Sequence, residues 1–314
     1  MGYYIGIDIG GTSTKLGLVT DQGQVAQRSQ LDSAAAGNEV AFVGALNAAI
    51  AHLMAQHGPA AGNELLGIGI GAPTGNYATG QIEAPANLGL AAPMAITTLL
   101  ESHWQVPVCL TNDANLAALG ELHYGYGQQY AHLLVVTLGT GIGAGIVSNG
   151  QLLHGLNDLA GELGHTTIIP GGRQCSCGQQ GCLEAYVSIR GMATTYRMLS
   201  DAHRPVTPLD LVQLAERNDP HAIETIRLTG QYLGTGLANA AALLAPECIV
   251  LAGGLANIGA PLLAAARQAF NSQVLPNLQG KVVLTTTRHQ NNNLALLGAA
   301  VLVQSHTQQA YSFD

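Results

Sequence analysis

The sequence predicts an α/β protein of two related domains, each a mixed sheet flanked by helices, with a ligand cleft between them. Three observations lead there. At 314 residues the chain exceeds an average domain and suits two that each bury a core. Residues 3–20 read as strand, glycine turn, strand, and residues 132–147 repeat that design, for which an internal duplication is the simplest account. Strand-like segments and apolar stretches at helical spacing follow both repeats.

In chain order, residues 3–9 form a β-branched strand, Gly10 and Gly11 a turn and residues 15–20 the returning strand, with alternation resuming over 25–31. Small apolar residues at helical spacing run from 40 to 54 and stop near Gly58-Pro59, so three antiparallel strands precede the first long helix. Residues 65–72 are a glycine-laced strand, 107–110 a short one, and 112–121 a helix entered through Thr111, Asn112 and Asp113. After the second hairpin, Asp219-Pro220 opens a helix whose spacing continues to 244. Its longest uncharged part, 228–246, contains Thr229, Gln231 and Asn239 and reads as a buried helix rather than a membrane span. Residues 249–251 are a strand ending in Gly253-Gly254; two helices follow, the last over about 293–304. The expected division is 1–115 for a smaller domain and 116–293 for a larger one.

Composition narrows the function. A chain 47% hydrophobic, 10% charged and holding 40 glycines is compact and rich in small residues, not disordered. Nineteen acidic against eleven basic residues give a net charge of −8 with no Lys/Arg stripe, which disfavours a nucleic-acid partner. An anionic ligand must then be held mainly by backbone N–H groups, helix N-termini and metal ions. The N-terminus has no basic n-region and no apolar h-region, and Gly6 stands where a myristoylation signal has Ser or Thr. A cytoplasmic protein without membrane partners is expected.

The first turn, Asp8-Ile9-Gly10-Gly11-Thr12-Ser13-Thr14-Lys15, puts an acid at a strand end and then two residues that tolerate positive φ, so its amides can converge on an anion. The second, Leu138-Gly139-Thr140-Gly141-Ile142-Gly143, does so without the acid, and the pair suits one polyphosphate. Gly253 and Gly254 after a third strand permit close approach of a nucleotide. Any one of these alone is more often an ordinary hairpin turn. Two segments, 67–72 and 139–144, loosely fit the dinucleotide fingerprint, but neither opens a helix, and no Gly-x-x-x-x-Gly-Lys-Ser/Thr occurs. The phosphate architecture that remains is the duplicated, actin-like one.

Cys175, Cys177 and Cys182 fall within eight residues, and His165 lies ten before the first. Three thiolates and an imidazole suit tetrahedral zinc, and Gly178 and Gly181 let the chain turn tightly enough for the sulfurs to converge. The plainer alternative is a set of redox or merely buried thiols. Glu162, three residues before His165, and Glu184, two after Cys182, would be fixed near each other by such a knot, although each alone reads as a surface helix cap. His165 would bind metal through one ring nitrogen and keep the other for a ligand. Asn112 and Asp113 open a helix and are ordinary caps; a carboxylate at 113 facing the cleft would also accept a hydroxyl proton during phosphoryl transfer.

Together these pieces resemble the ROK family of sugar kinases and related repressors, over nearly the whole chain. Asp8-Ile9-Gly10-Gly11-Thr12 is similar to its first phosphate motif, Leu138-Gly139-Thr140-Gly141 to its second, and Gly253-Gly254 to its adenosine-side glycines. Glu162-Leu163-Gly164-His165 and the 175–184 segment resemble its Glu-x-Gly-His and zinc signatures. The resemblance implies two actin-like (ribonuclease H-like) domains, with the last helix, 294–314, returning to the first. It implies Asp113 as catalytic base and Asn87, Asn112, Glu162, His165 and Glu184 as ligands of sugar hydroxyls. Asp8 would stand near Mg2+ and ATP, with Gly10, Gly11, Thr12, Lys15, Gly139, Thr140, Gly141, Gly253 and Gly254 around the nucleotide. The activity implied is ATP-dependent phosphorylation of a hexose, glucose first, by a homodimer carrying structural Zn2+. The loop around Asn87 departs from the family pattern, with its proline at 85 and Leu90 where an aromatic is common, and Gly71-Ala72-Pro73-Thr74-Gly75 carries one inserted residue. A fructokinase or an N-acetylmannosamine or N-acetylglucosamine kinase is the alternative. A sugar-sensing repressor is disfavoured, because the first phosphate motif begins at residue 5 and leaves no helix-turn-helix before it.

Overall fold

A computed structural model describes residues 2–33, 38–57, 64–83, 93–200, 206–289 and 293–311. The first elements are strands β1 (Gly2–Ile9), β2 (Ser13–Thr20) and β3 (Val25–Asp32), helix α1 (Glu39–His57), strands β4 (Glu64–Gly71), β5 (Gly75–Asn76) and β6 (Gln81–Ile82), helix α2 (Ile96–Trp104), strand β7 (Val108–Thr111) and helix α3 (Asp113–Tyr124). Next come β8 (Leu133–Leu138), β9 (Ile142–Ser148), β10 (Gln151–Leu152), and helices α4 (Glu184–Val187), α5 (Ile189–Ser200), α6 (Pro208–Glu216) and α7 (Pro220–Leu244). Strand β11 (Cys248–Ala252), α8 (Ala260–Gln273), β12 (Val283–Thr286) and α9 (Asn293–Tyr311) complete the chain. No helix among the described residues is long and apolar enough to cross a membrane.

The two five-stranded sheets share one order, β3-β2-β1-β4-β7 and β10-β9-β8-β11-β12. In the first, β1, β2 and β3 form an antiparallel meander while β4 and β7 run parallel to β1. In the second, β9 and β10 are antiparallel, and β11 lies parallel to both β8 and β12. The repeated strand–turn–strand of the sequence is thus the first hairpin of each of two equivalent sheets.

Alternation in β4 explains its glycines. Ile68 and Ile70 are fully buried with Phe42, Leu46 and Ile50 of α1, each such side chain contributing about 1.5–3 kcal/mol. Gly67 and Gly69 face the other way, onto α9, where a Cβ at Gly69 would lie 1.9 Å from the Ala299 carbonyl oxygen. Helix α9 therefore rests on the strand backbone, with Leu296, Ala299, Ala300 and Val303 in the second apolar layer.

The chain divides into two compact units, Met1–Gln129 with Gly145–Ala160 and His289–Asp314, and Tyr130–Ala144 with Gly161–Arg288. This differs from a boundary at 115, which falls inside α3. Helix α3 stays whole because it packs backbone to backbone on α9: a Cβ at Gly298 would lie 1.8 Å from the Leu116 oxygen, and one at Gly120 2.4 Å from the Leu294 oxygen. Residues 145–160 follow it, since Gly145 approaches the Ala114 oxygen closely enough that a Cβ would stand at 2.8 Å.

Candidate functional site

In the first unit, the 9–13 turn closes on itself: the Gly10 N–H donates to the Ser13 oxygen at 3.1 Å and the Ser33 N–H to the Thr12 oxygen at 3.1 Å. Buried hydroxyls of Thr14 and Ser33, 2.8 Å apart, pin it from beneath. Gly10 and Gly11 are not among the positive-φ glycines; at Gly10 the turn uses smallness instead, since a Cβ there would lie 3.0 Å from the Ser13 oxygen. Asp8, the residue before the last of β1, lies opposite Lys15 of β2. Burial pushes its carboxyl above the ordinary aspartate range, and Lys15 offsets part of that.

Asp113 is the first residue of α3. Asn112 is the cap, its side chain accepting from the Ala114 N–H at 2.9 Å, which leaves Asp113 half-buried one residue inside the helix. The Asp113 carboxylate also reaches the Ala114 N–H, at 2.9 Å, so the positive helix end lies beside it. Behind both, the buried Asp158 takes hydrogen bonds from Thr111, Asn112 and Asn115. Sequence reading missed Asp158 because Asn-Asp in a loop carries no signal of contacts more than forty positions away.

The 139–141 turn belongs to the second unit, closed by the Gly139 N–H donating to the Gly141 oxygen at 3.0 Å. Glu184, 8% exposed, braces it. Its Oε2 accepts from the Ile142 N–H at 3.1 Å and its Oε1 from the Ser176 hydroxyl at 2.8 Å. A Cβ at Gly141 would lie 2.7 Å from that carboxylate, whereas among the described residues, chain neighbours aside, nothing comes within 4 Å of a Cβ at Gly139 or Gly254. Gly253 has φ +88 and crowds the Leu138 oxygen. Glu184 is thus a buried brace rather than the surface cap its type suggested, and Ser176, its partner, was unforeseen between two cysteines.

The segment carrying Glu162 and His165 lies flat on β9. A Cβ at Gly161 (φ +94) would meet the Ala144 oxygen at 1.8 Å, and one at Gly164 the Ile142 oxygen at 2.5 Å; the glycines of the Gly-Glu-x-Gly-His run are required by this contact. Glu162 projects outward, its side chain 50% exposed and its Oε2 3.8 Å from His165 Nε2. His165 Nδ1 instead faces Cys175 Sγ at 3.6 Å, and Cys177 and Cys182 sulfurs are 3.8 Å apart. All four ligand atoms of His165, Cys175, Cys177 and Cys182 lie within 4.8 Å of one another. Zn–S bonds of about 2.3 Å and Zn–N of about 2.0 Å at tetrahedral angles require S–S and N–S edges of about 3.8 and 3.5 Å, so the donor set fits zinc. Gly178 and Gly181 adopt φ of +91 and +82, the tight turns that convergence needs. Asn87 lies outside the described residues, as do residues 84–92 around it; all other predicted site residues are described, Asp8, Gly10, Gly11, Thr12, Lys15, Asn112 and Asp113 in the first unit, the others in the second.

The sequence profile described as ROK family matches residues 4–306. The chain is 35% identical to the glucokinase of Halalkalibacterium halodurans, over 88% of this chain and 87% of that one. It is 31% identical to the N-acetylmannosamine kinase of Salmonella typhi, over 96% and 99%. A solved ROK family glucokinase from Streptomyces griseus, in complex with glucose and AMPPNP, superposes with a TM-score of 0.82 at 27% identity, covering 97% of this chain and 100% of that chain.

Proposed function

This chain belongs to the ROK family, and we propose that this hexose kinase transfers the γ-phosphoryl group of ATP to the 6-hydroxyl of glucose, with Asp113 as the general base. The position of Asp113 carries the reading. A half-buried carboxylate on the first turn of α3, next to the Asn112 cap and itself within reach of the Ala114 N–H, is held in one place. As the sugar oxygen attacks the γ-phosphorus, its proton passes to Asp113, the new O–P bond forms and the bond to the bridging oxygen of ADP breaks.

Asn87, Asn112, Glu162, His165 and Glu184 are assigned to sugar hydroxyls, with His165 Nε2 available because Nδ1 faces the cysteines. Backbone at Gly10, Gly11 and Thr12 and at Gly139, Thr140 and Gly141, with Lys15, is assigned to the phosphates, and Gly253 and Gly254 to the adenosine side. Open space around Gly139 and Gly254 supports this, since the protein's own packing does not require glycine there and close approach of a ligand does. Bound magnesium supplies charge neutralisation at the phosphates, and Asp8 is the residue assigned to it through water. Bound zinc cross-links the 165–182 segment and so steadies Glu162 and Glu184. Glucose is preferred over an acetamido sugar because the glucokinase match is the more similar of the two. The test is Asp113→Asn: turnover falls about 10²- to 10⁴-fold while glucose affinity by calorimetry is retained. Undiminished turnover removes Asp113 as the base.

A further inference from the structure

We propose that Asp158 is a positioning residue of the phosphoryl transfer, a buried carboxylate that locks the β7–α3 corner and thereby aims Asp113. This rests on the reading of Asp113 as base. Asp158 comes from a loop more than forty residues later in the chain, and its side chain is 1% exposed. Four donors converge on it. Oδ2 accepts from the Thr111 hydroxyl at 2.5 Å and from the Asn112 N–H at 3.4 Å. Oδ1 accepts from Asn115 Nδ2 at 3.0 Å and from His154 Nδ1 at 2.6 Å. Three of these donors, at 111, 112 and 115, flank Asp113 on both sides along the chain. They belong to the last residue of β7, the cap of α3 and its first turn, so one carboxylate ties together the whole corner from which Asp113 projects.

The backbone is bent to achieve this. Asn157 and Asp158 have φ of 50 and 62, consecutive left-handed conformations that residues with a Cβ adopt only when something compensates. Four hydrogen bonds to one water-excluded carboxylate supply that compensation. His154 closes the network on the outside. Its side chain is 35% exposed, its Nδ1 must carry the proton it donates, and its ring stacks on Tyr77 with centroids 4.7 Å apart. Tyr77 in turn reaches His306 Nδ1 at 3.2 Å, so the imidazole is held in the orientation that Asp158 requires.

Asp158→Gly separates the carboxylate from the strain, because glycine accepts the left-handed backbone without cost, and its melting curve establishes that the variant is folded at the assay temperature. Its kcat for glucose phosphorylation is expected to fall about 10- to 100-fold, with KM for ATP changed less than about twofold and amide hydrogen exchange over 111–116 accelerated. Asp158→Asn keeps one acceptor oxygen for Thr111 and the Asn112 N–H, so it recovers part of kcat and of the exchange protection. Unchanged kcat in Asp158→Gly overturns the proposal, whether or not exchange accelerates. Equal losses in Asp158→Gly and Asp158→Asn with normal exchange also overturn it. A wild-type enzyme that phosphorylates no sugar defeats the kinase reading itself, and that outcome is visible before any variant is made.

Discussion

Replacing Glu184 by alanine tests whether the second glycine turn is braced from the metal side. Alanine leaves the Ile142 N–H, which Glu184 Oε2 accepts at 3.1 Å in a buried setting, without an acceptor, and it frees the Ser176 hydroxyl, held by Oε1 at 2.8 Å. Ser176 is exposed and finds water, so its loss is small. The buried N–H loses a hydrogen bond to a charged group, and the two terms together amount to about 2–4 kcal/mol. At about 2–4 °C per kcal/mol for a domain of this size, Tm falls by about 4–16 °C. Glu184→Gln should cost far less, about 1 kcal/mol, because its carbonyl still serves Ile142 and its amide donates to the Ser176 oxygen. Thermal and denaturant unfolding of the two variants decides the matter. The brace also fills the space where a Cβ at Gly141 would sit, 2.7 Å from Oε2, so Gly141→Ala should cost less in the alanine background than in the wild type. An alanine variant as stable as the glutamine one, or no coupling to residue 141, would mean that Glu184 does not brace the turn.

Metal analysis of protein purified without chelator should give one zinc per chain, and Cys177→Ser should lose it; strong chelation should lower Tm, as removal of a ligand of the folded state alone must. Zinc-free protein of undiminished stability contradicts the assignment. Asp8→Asn should trade activity for stability. Burial raises the Asp8 carboxyl, so ionising it in the folded protein opposes folding: stability is fullest below the ordinary carboxylate range and declines as pH rises through the raised value. The variant should therefore melt higher than the wild type at pH 7, match it near pH 3, and phosphorylate sugar more slowly. A lower melting temperature at pH 7 would show that the Lys15 pairing outweighs burial.

The hairpins, β4, α3, α7 and the knot were legible because each rests on a local rule: period-two alternation, an Asn cap, Asp219-Pro220 at a helix start, cysteines spaced for one metal. Other elements lacked such marks. Ala95 gives α2 no side-chain cap, and β12 is four residues long and mostly half-exposed. Helix α6 did carry a signal, a capping box of Thr207 and Asp210 around Pro208, that sequence reading passed over. The 115 boundary failed for a reason no local pattern holds, the close seating of Gly120 and Gly298 between α3 and α9. In the candidate site, residue types and spacing pointed to Glu184 and His165, but not to Glu184 being buried and Glu162 exposed. Asp158 depends on two left-handed residues and partners at 111 and 115, which a linear pattern does not display.

Release of ADP from Mg-ATP, measured in a coupled assay against glucose, fructose, mannose, N-acetylglucosamine and N-acetylmannosamine, decides whether the chain is a glucose kinase. Turnover with the highest kcat/KM on glucose is the expected result. Turnover confined to an acetamido sugar would leave Asp113 in place and overturn the assignment of glucose. Sugar binding without turnover on any of the five would contradict the kinase reading and favour a sensor.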